Sequence, residues 1–357
     1  MLDLFENLTK IPEEKYHPKF KLLKDVLLEE KAILSDWVTG YVDTNNKTVT
    51  EFQKNFHSSF WQFYLYAVLK ELNFKIDFSK TFANIIITSA ESIIIDSFVS
   101  NIKENSRNEQ DRNRKDILAM LVPAHLAIDF NEVLDDAIIK HSIAIHKKLK
   151  NYRQSYSEFQ QFNGNEPYVI ALSSYDQVNY AREFTYPMMA LLFGLYYDPM
   201  TDDYIPKTSI RNAGAKTDIT LGLFNSDIYE DVSAILFSCT TTLDKLTSLA
   251  SSQDNMGNMN HVVNVRQISD DPAYSIKTVS PTEPEVLSDG LFLFHNPHAK
   301  NALDRKMFID SNIVQIYLEG DQFRLEGNQS PLFSRYNDNV KLPVDYLSSI
   351  TKIFNRQ

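Results

Sequence analysis

The stretch of residues 51–96 constrains the fold more than any other part of the chain. Its first half repeats aromatic and apolar residues at the spacing of one helix face, and its second half holds two isoleucine-rich runs at 83–88 and 92–96. β-Branched residues favour strands, and the short link between the two runs fits a hairpin. The stretch therefore predicts a helix that leads into two adjacent antiparallel strands.

Residues 1–47 are predicted to form an N-terminal helical cap in front of this unit. Apolar residues near helical spacing continue as far as Trp37, and the polar run GYVDTNNK then breaks the pattern. Thr48 and Glu51 have the spacing of a capping box, so the long helix is predicted to begin there. We expect one α/β domain over 48–357, with an elaborated C-terminal half.

Strand-like and helix-like segments alternate in the rest of the chain, and this alternation predicts a mixed β-sheet core flanked by helices. Polar, turn-rich residues at 199–218 and 251–261 are predicted loops. The predicted elements are, in chain order, a helix at 131–152, a strand at 168–174, a buried helix at 186–197, a strand at 231–238, a helix that reaches Leu249 and a strand at 291–295.

The composition limits the classes of function. A formal net charge of −11 excludes a surface that is basic all over, and the single cysteine, Cys239, excludes an internal disulfide framework and a cysteine-rich zinc site. No apolar run reaches the roughly 20 residues of a membrane-spanning helix, and no signal peptide is visible. We expect a soluble cytoplasmic protein without a membrane partner, in which any nucleic acid must meet a local basic patch.

Three polar residues are predicted to meet at one end of the strand pair. Asn84 lies at the start of the first strand run and Asp96 ends the second, so antiparallel pairing brings them together. Lys148 lies in the basic final turns of the helix predicted over 131–152. The helix dipole alone favours cations there, but a lysine at this place can also lie beside the strand ends.

The charged run at 101–116 allows two interpretations. It has almost no apolar residues, which is typical of a solvated loop or an exposed helix. The alternative is an arm that contacts phosphates, although interleaved acidic residues weaken that interpretation. The candidate phosphate contacts are Arg107, Arg112, Arg114 and Lys115.

Several short motifs carry a resemblance to a known family. They are EFQ at 51–53, FHSSFWQ at 56–62, YL at 64–65, ANI at 83–85, Asp96 at the end of an apolar strand, PYVI at 167–170, GLF at 222–224, VSA at 232–234 and HNP at 295–297. This pattern resembles a family of largely uncharacterised bacterial proteins in the PD-(D/E)XK (restriction-endonuclease-like) superfamily, over most of the chain beyond residue 48. The resemblance implies a restriction-endonuclease-like fold and a nuclease, a hydrolase that acts on DNA or RNA.

The resemblance assigns the catalytic positions to Gln62, Asn84 and Asp96, with Lys148 standing in for a lysine that the pattern has two residues after Asp96, where this chain has Phe98. Asn84 and Asp96 are the implied ligands of Mg²⁺, which lowers the pKa of a bound water and stabilises charge on the phosphate. The pattern has glutamate, aspartate and glutamate where this chain has Gln62, Asn84 and Asp96. Two amides in place of carboxylates remove charge that holds a hard cation.

Three hypotheses about function follow. In the first, a displaced carboxylate from Glu51, Asp77 or Glu91 restores a Mg²⁺-dependent nuclease, although each has a simpler role at a helix start, a turn or a hairpin tip. In the second, an inactive scaffold binds nucleic acid or a protein partner in defence or immunity. In the third, the chain is an assembly or immunity partner or a homo-oligomer without nucleic acid, which the net charge of −11 favours. A basic groove beside Asn84 and Asp96 is expected only for the first two.

Overall fold

The computed structural model describes residues 2–8, 11–78, 85–88, 92–101, 109–122, 124–156, 164–175, 180–211, 217–253, 260–268, 274–339 and 341–354. Within these ranges the α-helices are α1 (Pro18–Asp25), α2 (Leu28–Trp37), α3 (Thr48–Lys54), α4 (Phe56–Glu71), α5 (Arg114–Ala119), α6 (Phe130–Tyr156), α7 (Tyr186–Phe193), α8 (Leu243–Ser252) and α9 (Val344–Phe354). The strands are β1 (Ile76–Asp77), β2 (Ile85–Thr88), β3 (Ser92–Asn101), β4 (Tyr168–Tyr175), β5 (Leu195–Asp198), β6 (Asp203–Pro206), β7 (Ser209–Ile210), β8 (Ile219–Thr220), β9 (Ala234–Ser238), β10 (His261–Gln267), β11 (Tyr274–Thr278), β12 (Phe292–His295), β13 (Val314–Glu319), β14 (Gln322–Glu326) and β15 (Leu332–Asp338).

A mixed sheet with the strand order β1-β2-β3-β4-β9-β12-β13-β14 forms the centre of the described structure. β2 and β3 pair antiparallel with Ile85 opposite Ile95, so the predicted pair of adjacent strands is confirmed. β3, β4 and β9 run parallel to one another. Parallel neighbours need a crossover connection, and α6 lies in the connection between β3 and β4.

Different helices cover the two faces of this sheet. Ile93 and Ile95 of β3 belong to an apolar cluster that includes the buried side of α4. Ile94 belongs to a second cluster that includes α6 and α7. This division follows from the two-residue period of a strand. The predicted mixed sheet flanked by helices is therefore confirmed.

The helices before residue 48 pack against the same core. Phe20 of α1, together with Leu34 and Trp37 of α2, is buried in the apolar cluster that contains Phe60 of α4. The helical pattern predicted for this region is confirmed for α1 and α2. The cap helices therefore share one apolar cluster with α4 and α8.

The helix predicted to run on from residue 48 is two helices, α3 and α4, which meet at Asn55. The N-cap of α3 is Lys47, and it makes no side-chain capping bond, so the predicted capping box of Thr48 and Glu51 is wrong. The reason is local: the Thr48 N–H donates to Asp43 Oδ2 at 3.2 Å. Glu51 Oε2 accepts from Asn55 Nδ2 at 2.6 Å instead.

The buried helix predicted over 186–197 ends four residues early. α7 stops at Phe193 because Gly194 takes a φ of 74°, the left-handed conformation that ends many helices. The chain then forms β5, which pairs antiparallel with β6 and places Tyr197 opposite Tyr204. The predicted loop at 199–218 therefore contains β6 and β7, which are too short to show a strand pattern in sequence.

Gly290 occupies a place where a side chain does not fit. Its φ is +84°, and a Cβ there would overlap the hydroxyl of buried Thr240. Gly290→Ala should lower the free energy of unfolding by about 2–5 kcal/mol, through left-handed strain and overpacking together. Gly320 has a φ of +62° in open space, so Gly320→Ala should cost about 1–2 kcal/mol from strain alone. Urea unfolding measures both, and equal losses would show that Thr240 moves aside.

Candidate functional site

Asp96 and Lys148 form an ion pair on the sheet face that α6 covers. Lys148 Nζ lies 2.6 Å from Asp96 Oδ1 and donates a second hydrogen bond to the Ser97 carbonyl oxygen at 3.1 Å. The Asp96 residue is buried, and Lys148 is half-buried. The structure therefore brings together two of the four residues that the sequence singled out.

The local sequence explains how this contact forms. On β3, Asp96 follows Ile94 by two residues and so points to the same face. On α6, Ile145 and Leu149 are buried in the core beneath that face. Lys148 lies next to Leu149, at the margin of the buried side of the helix. Its long stem can follow the apolar surface while the ammonium group reaches the carboxylate.

Tyr168, at the start of β4, lies beside the pair, and Tyr152 of α6 packs on it. The Tyr168 hydroxyl lies 3.4 Å from Asp96 Oδ2 and 3.4 Å from the Lys148 carbonyl oxygen. The Tyr152 ring stacks on the Tyr168 ring with a centroid distance of 3.8 Å. Burial raises the pKa of Asp96, against the opposing effect of Lys148 and Tyr168. Burial also raises the pKa of Tyr168, which keeps its hydroxyl a donor.

The described residues do not fit a Mg²⁺ ion at Asp96. Magnesium takes octahedral oxygen ligands and is usually held by one or two carboxylates together with waters and substrate phosphates. A single carboxylate lies within this range, but the Asp96 carboxylate is already paired with Lys148, which compensates its charge. Among the described residues, Asp96 belongs to no group of three or more His, Cys, Asp or Glu side chains that could share an ion. A metal ion at Asp96 Oδ1 would have to displace the ammonium group of Lys148.

The other predicted positions lie elsewhere or outside the described ranges. Gln62 is half-buried on α4, which covers the opposite face of the sheet from Asp96. Asn84, the second predicted Mg²⁺ ligand, lies outside the described residues, as does Glu91. Asp77 lies on β1, at the edge of the described sheet. Of the predicted site residues that the structure describes, Asp96 and Lys148 lie together and Gln62 lies apart from them.

Exposed cations lie on both sides of Lys148 near the end of α6. Lys147 and Lys150 are exposed. Arg153 Nη2 lies 2.6 Å from an Asp231 carboxylate oxygen, so that charge is partly compensated. Together with Lys148, these residues form a local basic stretch on a chain whose net charge is −11.

The run predicted as either a solvated segment or a phosphate-binding arm is described from residue 109 onward. Arg107 lies outside the described residues. Arg112 lies over the ring of Tyr180, with its guanidinium carbon 4.3 Å from the ring centroid. Arg114 and Lys115 open α5, a capped helix. Arg114 and Lys115 are exposed, in agreement with the exposed-helix interpretation, whereas the Arg112 side chain packs on Tyr180.

A second polar cluster, which we call the Glu109 cluster, consists of His17, Lys19, His57, Glu109 and Tyr180. Lys19 Nζ lies 2.8 Å from Glu109 Oε2, and the Tyr180 hydroxyl donates to the same oxygen. His57 Nε2 lies 3.2 Å from Glu109 Oε1, and His17 Nε2 lies 3.9 Å from it. The sequence analysis missed this cluster because its members come from four separate segments with no common spacing.

Burial and mutual contacts set the charges of the Glu109 cluster. Burial lowers the pKa of His17 to about 4 and also lowers the pKa values of His57 and Lys19. Burial alone would raise the pKa of Glu109, but its contacts with His57 and Lys19 outweigh this and hold that pKa well below its usual range. At neutral pH the cluster therefore contains an ionised carboxylate and two neutral imidazoles.

No protein-family model, curated protein or solved structure matches this chain. Within the described ranges, no helix combines the length and the apolar character that crossing a membrane requires. The functional interpretation therefore depends on the geometry of Asp96 with Lys148 and of the Glu109 cluster.

Proposed function

We propose that this chain is a nuclease-type scaffold that binds nucleic acid beside Asp96 and Lys148 and no longer cleaves it by metal-dependent chemistry. The observation that carries the proposal is the 2.6 Å contact between Lys148 Nζ and Asp96 Oδ1. It joins an acidic residue of a central strand to a lysine, the two residue types that the family resemblance assigns to phosphodiester chemistry.

The charge balance favours binding over metal-dependent cleavage. The ammonium group of Lys148 occupies Oδ1, one of the two oxygens of Asp96 that a divalent cation could use, and it can attract a phosphate through its own charge. Because Lys148 is partly compensated by Asp96, most of the attraction must come from exposed Lys147 and Lys150. Phosphate contacts of this kind supply affinity without sequence specificity.

The proposal predicts salt-dependent binding of nucleic acid that depends on the end of α6. Fluorescence anisotropy with labelled single-stranded DNA, double-stranded DNA and RNA should detect binding at low salt. The double variant Lys147→Gln/Lys150→Gln should bind more weakly, and for B-DNA the slope of log K against log salt should fall by about 0.9 for each phosphate that the variant no longer neutralises. Lys306→Gln/Lys341→Gln removes the same charge at two other exposed lysines and should bind like the unaltered chain.

The same assay separates the alternatives. Equal weakening by both double variants would point to unspecific charge and contradict binding at α6. Cleavage in Mg²⁺ or Mn²⁺ that is lost in Asp96→Ala would contradict the inactive scaffold and restore the metal-dependent nuclease. Absence of binding to all three nucleic acids at low salt would sink the proposal.

A protein partner or a homo-oligomer is the second candidate function. The net charge of −11 favours it, because acidic surfaces repel nucleic acid outside a local basic patch. Light scattering after size-exclusion chromatography would report self-association directly. A stable oligomer without nucleic-acid binding would favour this candidate over the first.

A further inference from the structure

We propose that His17, His57 and Glu109 form a binding site for Zn²⁺ or a similar transition-metal ion at the carboxyl ends of the parallel strands β3 and β4. Among the described residues, these three side chains are the group of His, Cys, Asp or Glu whose ligand atoms all lie within 4.8 Å of one another. Two imidazoles and one carboxylate are a ligand set that zinc uses in sites that keep a fourth position open.

The distances are close to those of a metal site. Glu109 Oε1 lies 3.2 Å from His57 Nε2 and 3.9 Å from His17 Nε2. Tetrahedral ligands at zinc bond lengths lie about 3.3 Å apart. The ligand atoms of His17 and His57 lie within 4.8 Å of each other, so their separation would shorten by at most about 1.5 Å to reach ligand distance around one ion.

The two oxygens of Glu109 have different surroundings. Oε1 faces the two histidines, whereas Oε2 accepts from Tyr180 and lies 2.8 Å from Lys19 Nζ. In metal sites, ligating carboxylates are typically held by further hydrogen bonds of this kind. Lys19 and Tyr180 would thus orient Glu109 and leave Oε1 for the ion.

The place in the fold also suits a binding site. β3 ends at Asn101, which pairs with Tyr175 at the end of β4, and the His57 ring packs on the Tyr175 ring with centroids 4.1 Å apart. Ligand sites in open α/β sheets lie at the carboxyl ends of the strands. Five residues of β3, or about 16 Å, separate Asp96 from Asn101, so the two sites are independent.

A network of hydrogen bonds without metal is the competing interpretation. His17 Nδ1 accepts from the Lys19 N–H at 3.2 Å, and a metal on Nε2 would shift the ring proton to Nδ1 and break this bond. In His57, Nδ1 is buried without a hydrogen-bond partner among the described residues. Metal binding must therefore outweigh the lost hydrogen bond of His17, whereas within the described structure His57 has no hydrogen bond at Nδ1 to lose.

Metal titration of the full chain tests the site. After removal of metal by a chelator, Zn²⁺ should bind in a 1:1 ratio by calorimetry, and Co²⁺ should give the visible absorption of a four-coordinate site. His17→Gln, His57→Gln and Glu109→Gln should each weaken binding at least tenfold. Tyr180→Phe, which removes only a supporting hydrogen bond, should weaken it about 10- to 100-fold. Circular dichroism of each metal-free variant verifies folding.

Two controls keep this test separate from the proposed function. His146→Gln alters an exposed histidine of α6, and Asp96→Ala removes the carboxylate beside Lys148; both should bind Zn²⁺ like the unaltered chain. Absence of saturable binding at millimolar Zn²⁺ in the unaltered chain would overturn the site and leave a hydrogen-bonded anchor for the cap. Binding that survives all three ligand variants would overturn it too. If Glu109→Gln does not fold, the Co²⁺ spectra of the unaltered chain and His57→Gln decide.

Discussion

Glu285→Gln should lower the free energy of unfolding by about 3–5 kcal/mol, the usual effect of breaking a buried ion pair from one side. The side chains of Glu285 and Lys245 are completely buried, and Lys245 Nζ lies 2.6 Å from Glu285 Oε1. Arg335 pairs with the same carboxylate. Because total stabilities of single domains are about 5–15 kcal/mol, this change alone removes a large fraction.

The expected loss of stability is large because the carboxylate of Glu285 accepts hydrogen bonds from several elements. Oε2 of Glu285 accepts from Ser248 Oγ at 2.5 Å, Asn264 Nδ2 at 2.8 Å and Arg335 Nε at 3.0 Å. These donors come from α8, β10 and β15, so the carboxylate ties three elements of the C-terminal half together. An amide in its place leaves the charges of Lys245 and Arg335 uncompensated. The NH2 group of the amide would also face other hydrogen-bond donors.

Glu283→Gln is the matched control, two residues away. Lys277 Nζ lies 2.7 Å from Glu283 Oε1, but both side chains are about half exposed. Exposed pairs of this kind contribute about 0–1 kcal/mol. Urea unfolding followed by tryptophan fluorescence compares the two variants without changing ionic strength. A loss below 1 kcal/mol for Glu285→Gln would contradict the assigned role of the buried network.

The antiparallel strands β2 and β3 were predictable because local chemistry and tertiary packing agree there. Isoleucine at 85–87 and 93–95 favours strands whichever face is buried, and both faces are buried in the structure. The contact of Lys148 with Asp96 was predictable for the same reason. The apolar stripe of α6 determines which side of the helix faces the sheet. A lysine at the margin of that stripe therefore lies close to the sheet.

The Glu109 cluster and the buried network were not predictable because both depend on contacts between distant segments. His17 and Lys19 belong to a cap in which the sequence shows no motif. They can be recognised as site residues only from their contacts with Glu109 in the structure. Arg335 lies in β15, where a charged residue argues against a buried strand until its partner Glu285 is known. Short strands such as β7 carry too few residues to show a period.

The position of Gln62 limits what the motif alone can predict about the site. It lies within the FHSSFWQ motif on α4, yet α4 covers the sheet face opposite to Asp96. His57, five residues earlier in the same motif, contacts Glu109 instead. The helix that the motif marks therefore serves the Glu109 cluster more directly than it serves the ion pair of Asp96 with Lys148.

His141→Leu should stabilise the protein, and more strongly in acid than at neutral pH. His141 is fully buried on α6 beside Phe237, with a ring-centroid distance of 5.8 Å. Neither ring nitrogen has a hydrogen-bond partner among the described residues. Leucine has a similar volume, a higher helix propensity and no polar atom, so relief of the unsatisfied nitrogens should contribute about 1–3 kcal/mol at pH 7.5.

The pH dependence follows from the protonation of the same ring. Burial, with a smaller contribution from Lys140, lowers the pKa of His141 from 6.5 to about 3. The unfolded chain therefore binds a proton at His141 below pH 6.5, while the folded chain does not until about pH 3. Stability is complete above pH 6.5 and is lost as the pH falls through this window. At pH 5 the loss is about 2 kcal/mol, and His141→Leu abolishes it.

Urea unfolding of the unaltered chain and of His141→Leu at pH 7.5 and pH 5 measures both effects. The advantage of the variant should grow by about 2 kcal/mol at the lower pH. His146→Leu, on the exposed side of the same helix, should not stabilise at pH 7.5, because it loses the 2.7 Å hydrogen bond between His146 Nδ1 and the Tyr229 hydroxyl. The variant His141→Leu should still lose some stability in acid, because burial also lowers the pKa of His295 to about 4. An advantage that does not change with pH would mean that His141 is not the buried neutral ring described above.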